Sequence, residues 1–152
     1  MEKIFNGLKV VELASVLAGP AVGTFFSELG AEVIKVENKT TGGDVTRQWR
    51  QPGEMEQGPS AYYASVNWNK QLLVFDLTDA EDMEKVKDLI RKADIVISNF
   101  KKGDDEKFGL TYSHLKELNS SIIYGHISGF GAESDRLAYD LIMQAETGFM
   151  SM

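Results

Sequence analysis

LKVVELASVLAGPAVGTFFSELGAEVIKVEN, residues 8–38, is the stretch whose reading decides the fold. Val10, Val11 and Leu13 form a short apolar run rich in β-branched side chains, the composition of a buried strand. Gly19-Pro20 then restarts the chain as a helix, since proline fits a first helical turn, where its missing N–H is not needed. Val22, Phe25, Phe26 and Leu29 recur at spacings of three and four, predicting the buried face of that helix, and Gly30 closes it. A second strand, Glu32 to Glu37, follows at once. So short a strand-helix-strand unit crosses over right-handed and builds a parallel sheet, which places the loop Ala14 to Gly19 at the carboxyl edge, where such sheets bind ligands.

The remaining chain continues the alternation. Asn38 to Gly58 is polar and without period, and contains Lys39, Gly42, Gly43, Arg47, Trp49 and Arg50. Two readings stay open for it: a functional loop, or a solvated connection anchored by Trp49 and Met55. Ser60 to Val66 predicts a short helix carrying Tyr62 and Tyr63, and Leu72 to Leu77 a strand. Thr78 then caps a helix that opens on Asp79, Glu81 and Asp82 and ends near Arg91 and Lys92, matching the helix dipole at both ends. Its apolar stripe is Val86, Leu89, Ile90 and Ala93. Asp94 to Ser98 is a short buried strand ending at Asn99-Phe100, followed by a basic cluster of Lys101, Lys102 and Lys107. Ser113 to Asn119 predicts a helix, Ile122 to Ile127 a strand, and Asp140 onward a last helix ending on Phe149, Met150 and Met152. The fold class is α/β: an open, Rossmann-like, mostly parallel sheet with helices on both faces.

At 152 residues, 43% of them hydrophobic, the chain has the size and composition of one globular domain. It has no cysteine, which excludes disulfides, thiolate metal sites and a cysteine nucleophile, and only His114 and His126 as imidazoles. A net charge of -7 argues against a nucleic-acid partner, although a handful of cations can still hold a small anion. No apolar run reaches the length of a membrane span and the N-terminus lacks a signal-peptide core, so no membrane association and a cytoplasmic location are expected.

VVELASVLAGPAVGTFFSELGAEVIKVEN, then GGDVTRQW, NWNKQLLVFDL, ADIVISNF, FGLTYSHLKELN and IIYGHISGFG resemble, in order, the N-terminal part of the class III CoA-transferases, the family of formyl-CoA transferase and carnitine CoA-transferase. The resemblance implies that residues 1–152 are the Rossmann-like CoA-binding domain of a longer enzyme, truncated before a second domain, that transfers coenzyme A between carboxylic acids. Its substrates would be a CoA thioester and a carboxylic acid, with no tightly bound cofactor. The complete family member would be an interlaced homodimer. The nucleophilic aspartate, which carries the acyl group as a mixed anhydride and then CoA as a thioester, would lie beyond Met152.

Residue by residue, the resemblance puts Val16, Leu17 and Ala18 beside the CoA thioester and its pantetheine arm. It puts Asn38 and Lys39 near the nucleotide phosphates, and Phe75, Thr78, Asn99, Phe100, Lys107 and Phe108 around the adenine and the 3'-phosphoribose. Asp140 is implied as an assisting acid in the active site. The residues themselves leave alternatives: close helix-to-strand packing for the first loop, a core role for Phe75, a helix cap for Asp140, and a hydrogen-bonded core role for His126. Asn99 and Lys107 have no evident packing task.

Three other functions remain open. An α-methylacyl-CoA racemase would want a histidine at Tyr139, where a phenol with an ordinary pKa of about 10 exchanges protons poorly. A non-catalytic CoA- or nucleotide-binding fragment is the second. An NAD domain is the third, since Glu37 closes the second strand where a ribose-binding acid would sit, but only Gly19 and Gly23 of a G-x-G-x-x-G fingerprint are present.

Overall fold

The structure, a computed structural model, describes residues 3–131 and 134–151. Five strands form one sheet: β1 (Lys9–Leu13), β2 (Glu32–Asn38), β3 (Gln71–Phe75), β4 (Ile95–Ser98) and β5 (Ile123–His126), in the order β3-β2-β1-β4-β5. Every neighbouring pair is parallel, with Val10 opposite Val33 and Ile95 across the centre. The order reverses between β1 and β4, so their carboxyl ends diverge and open a crevice, the topological switch point of an open α/β sheet.

Period-two alternation sorts the strand side chains onto two faces. Val11, Leu13, Val36 and Val96 face α3 (Ala80–Arg91) and α5 (Tyr112–Leu118), packing with Met83, Val86, Ile90, Leu110 and Leu115. Val10, Val33 and Ile97 face the other way, toward Phe5, Leu8 and Phe26 of α1 (Ala18–Glu28) and its approach. Two short helices lie between strands: α2 (Ala61–Ser65), capped by Ser60, and α4 (Asp104–Phe108). The chain continues into α6 (Asp140–Glu146), which has no buried residue, and Leu137, Tyr139, Leu141, Phe149 and Met150 are exposed. Met152 and residues 132–133 lie outside the described residues, and among those described no helix is long and apolar enough to cross a membrane.

Four local expectations are corrected. Of the four residues expected on the buried face of α1, Val22 and Phe25 are exposed and Phe26 and Leu29 only half-buried: its buried side is Gly19, Pro20, Gly23, Thr24 and Ser27. The reason lies beneath it, where a buried ion network needs the helix backbone close. The Thr24 hydroxyl donates to the Val66 carbonyl at 2.6 Å, and Asn69 donates to the Ser27 carbonyl at 3.0 Å, so polar bonds hold this face. Asp79, not Thr78, caps α3, because its carboxylate reaches the amides of Glu81 and Asp82 while Thr78 bonds Asp76. Trp49 and Met55 do not anchor the segment after β2. Gly43, Asp44 and Thr46 are its buried residues, and two 3-10 turns, Lys39–Thr41 and Val45–Gln48, give it structure. His126 is hydrogen-bonded to the Ser98 hydroxyl at 2.9 Å but is exposed on the edge strand, outside the core.

A Cβ on Gly23 would stand 1.8 Å from the Glu12 carboxylate and 3.1 Å from the Lys70 ammonium. Alanine at an ordinary helix position gains about 1 kcal/mol over glycine. Here Gly23→Ala is expected to lower the unfolding free energy by about 3 kcal/mol, because it pries apart a buried pair, and urea denaturation reads the sign.

Candidate functional site

Two strand interiors carry charges where apolar residues are the rule: Glu12 in KVVEL and Lys35 in EVIKVEN, both without solvent exposure. An isolated buried charge costs far more than a fold of this size can absorb, so each needs a full set of partners. Lys35 donates to Glu12 Oε1 at 2.9 Å and to the Ala14 carbonyl at 2.7 Å, and pairs with Asp44 Oδ2 at 3.1 Å. Lys70 donates to Glu12 Oε2 at 2.8 Å and to the carbonyls of Pro20 and Val66, each at 2.7 Å. Two carboxylates and two ammoniums thus form a neutral set under α1. Among the described residues, no buried side-chain nitrogen or oxygen lacks a hydrogen-bond partner. Burial pulls the Lys70 ammonium below the usual lysine range, opposed by the charge of Glu12.

The same set grips the loop after β1. Lys35 holds the Ala14 carbonyl. Asn99, just past β4, accepts from the Ser15 amide at 3.0 Å and donates to the Ser15 carbonyl at 2.8 Å. Asp44 Oδ2 accepts from the Val16 amide at 3.1 Å, while its other oxygen receives the amide and hydroxyl of Thr46. Asn99 therefore has a structural task that its strand-end position did not suggest.

A second brace closes the wall of β2. Glu37 takes Arg47 in a two-pronged contact at 2.7 and 2.8 Å, the Asp44 amide at 3.0 Å, and the Tyr63 hydroxyl. The Arg47 guanidinium lies 4.0 Å from the centre of the Tyr63 ring. Gly43 has φ +99°, and a Cβ there would meet the Glu37 carboxylate at 2.4 Å, so only glycine passes. Burial pushes the Glu37 carboxyl up, but its bonds to Arg47, Tyr63 and the Asp44 amide outweigh this and leave it below the usual range. Asp44 behaves alike: burial raises it, and Lys35 with Thr46 brings it lower still. Burial and the Glu37 bond push the Tyr63 phenol up, so it stays neutral.

Above these braces a cleft of about 360 Å³ opens at the switch point. Its apolar walls are Leu13, Val36, Leu77, Phe100 and Phe108; Ser15, Asn38 and Asn99 add polar groups, and Lys101 a cation. The Phe100 and Phe108 rings sit 5.8 Å apart. Both carboxylates nearest the floor, Glu37 and Asp44, are occupied by cations and amides. Asp104 adds a third carboxylate to the cleft wall. Among the described residues, no cluster of three or more His, Asp or Glu converges on a metal position.

Of the site residues proposed from sequence, Asn38, Asn99, Phe100 and Phe108 line this cleft. Val16 and the exposed Leu17 and Ala18 lead from Ser15 into the first turn of α1 and are not among the residues that line the cleft. Asn38 spends its side-chain oxygen capping the turn that starts at Lys39, itself exposed. Phe75 packs against the core, Thr78 is exposed, and the exposed Lys107 lies over the Phe108 ring at 5.3 Å. Asp140 is exposed in the first turn of α6, accepting from Gln144, and is not part of the cleft wall. The sequence reading missed Glu12, Lys35, Asp44 and Lys70. Their signal was a charge of each sign inside two otherwise apolar strands.

A sequence profile of CoA-transferase family III matches residues 5–152. The chain belongs to CoA-transferase family III. Over 154 residues it is 44% identical to the succinate–glutarate CoA-transferase of Agrobacterium fabrum, a match that covers 97% of this chain and 38% of that protein. It is 39% identical over 157 residues to the succinyl-CoA:mesaconate CoA-transferase of Haloarcula hispanica, with 97% and 39% covered. A CAIB/BAIF family protein from Brucella suis superposes with a TM-score of 0.92 at 41% identity, over 100% of this chain and 41% of that one. The chain therefore spans about two fifths of the length of these relatives.

The two buried carboxyls among those held below their usual range set a pH dependence. Glu37 and Asp44 lie below their ordinary values of 4.5 and 3.8 when folded. The stability they contribute is complete above those values and is lost as pH falls through the folded ones. Unfolding free energy measured in urea is expected to decline below about pH 5, and Glu37→Gln should make the decline shallower.

Proposed function

We propose that this chain is the coenzyme A-binding portion of an enzyme that transfers CoA between carboxylic acids by way of an aspartyl-CoA intermediate. The observation that carries the reading is a cleft at the β1/β4 switch point with aromatic, amide and cationic groups, in a chain of CoA-transferase family III. The paired rings of Phe100 and Phe108 offer a surface for adenine, the amides of Asn38 and Asn99 flank it, and Lys101 with Lys107 and Lys39 supplies charge for phosphates at the rim. The loop of Val16, Leu17 and Ala18 borders the path of the pantetheine arm.

In the complete enzyme an aspartate outside these residues attacks the thioester carbonyl, forming a mixed anhydride and releasing CoA thiolate. The thiolate then attacks the aspartyl carbonyl, freeing the first acid and leaving an aspartyl thioester, which the second acid takes over by the reverse steps. Asp140 assists there. The relatives described above are named for dicarboxylic acids, which supports dicarboxylates as the acids exchanged. CoA is a substrate, with no resident cofactor, and the complete protein is an interlaced homodimer.

Two other readings lose ground on specific observations. Every lone-pair direction of Glu37 is taken by Arg47, Tyr63 and the Asp44 amide, so it cannot receive the adenosine ribose hydroxyls of NAD. A racemase would hold an imidazole where this chain has the phenol of Tyr139.

Thermal-shift titration tests the reading. CoA at about one hundred times its Kd is expected to raise the unfolding temperature by about 8 °C, and NAD to leave it unchanged. No response to CoA, or an equal response to NAD, contradicts it.

A further inference from the structure

Val16 has φ +69°, a left-handed conformation that a β-branched residue rarely adopts. Such a residue persists only where its surroundings over-determine it. Here the surroundings are three side chains acting on three consecutive residues: Lys35 on the Ala14 carbonyl, Asn99 on both backbone groups of Ser15, and Asp44 on the Val16 amide. Ala14 and Ser15 form part of the cleft wall, and behind the loop Lys35, which holds Ala14, and Asp44, which holds Val16, are buried and paired with each other.

We propose that Asp44 is a positioning residue: backed by Lys35, it pins the Val16 amide and so holds the β1–α1 loop in the shape the cleft needs before any ligand arrives. The inference rests on the CoA-binding reading given above. An aspartate suits the task because one oxygen takes the two Thr46 donors while the other faces two donors more, the Val16 amide and the Lys35 ammonium. An asparagine of the same shape must turn its NH₂ toward one of these donor pairs, and neither backbone amide can swivel away. Without the clamp, Val16 relaxes to negative φ and the loop must be re-ordered at binding, which weakens affinity.

A glycine at position 16 separates positioning from mere structural support. Glycine enters the left-handed region unaided, so the ties from Lys35 and Asn99 then suffice to hold the loop. By calorimetric titration with CoA, Asp44→Asn is expected to weaken binding about tenfold. Adding Val16→Gly in that background should restore affinity to within about twofold, while the lowered unfolding temperature of Asp44→Asn persists. Lost affinity that glycine does not restore, or Asp44→Asn binding as well as the parent chain, overturns the inference. If Asp44→Asn does not fold, amide hydrogen exchange on the unaltered chain decides. Protection of the Val16 amide before CoA is added supports the clamp, and exchange at the rate of an unstructured amide refutes it. A parent chain that is folded, with Val16 protected, yet binds no CoA defeats the functional reading instead and leaves the clamp standing as structure.

Discussion

The ammonium of Lys35, sealed from water in the middle of the sheet, is the constraint on which the surrounding structure depends. Taking that charge from water is costly unless every donor is matched, and three acceptors from three segments meet it: Glu12 on β1, the Ala14 carbonyl beyond it, and Asp44 past β2. Glu12 in turn requires Lys70, and Lys70 ties the end of α2 to the first turn of α1. The four charges sum to zero, and removing any one strands the others. This explains why α1 turns glycine, threonine and serine inward: larger side chains would hold the helix backbone away from the carbonyls and carboxylates that complete the set.

Because the network reaches backbone atoms of the β1–α1 loop, the electrostatics of the interior becomes geometry at the surface. The carboxyl end of β1 is fixed from below by Lys35 and from the sides by Asn99 and Asp44, and the carboxyl end of β2 by the Glu37–Arg47–Tyr63 brace. The cleft between them has rigid polar edges and apolar walls. Glu37 and Asp44 in its wall are spent on structure, each holding cations and backbone amides. The overall charge of -7 does not by itself decide what this cleft binds, since a pocket is set by the few residues that line it, Lys101 among them.

Much of this architecture was legible in the letters. Apolar runs between turn signals located all five strands and pointed to a parallel sheet, though not to the order of its strands, and the residues after β1 and β4 were placed at the ligand edge because strand ends define it. The buried face of α1 was not legible: Val22 and Phe25 carry the helical period, yet the burying force came from hydrogen bonds and ion pairs, which hydrophobic spacing does not register. Asp44 and Lys70 were hidden for a related reason. Each sits in a polar stretch where a charge looks solvated, and only the fold brings it against a strand charge. Glu12 and Lys35 were the readable half of the network, opposite charges in strands that otherwise reject them.

The central claim is that this braced crevice is where coenzyme A binds. Mapping amide shifts during titration of the labelled chain with CoA tests it most directly. The account predicts that the largest changes fall on Ser15, Asn38, Asp44, Asn99, Phe100 and Lys101. Changes centred on the exposed surface of α6, or no change at saturating ligand, would contradict it.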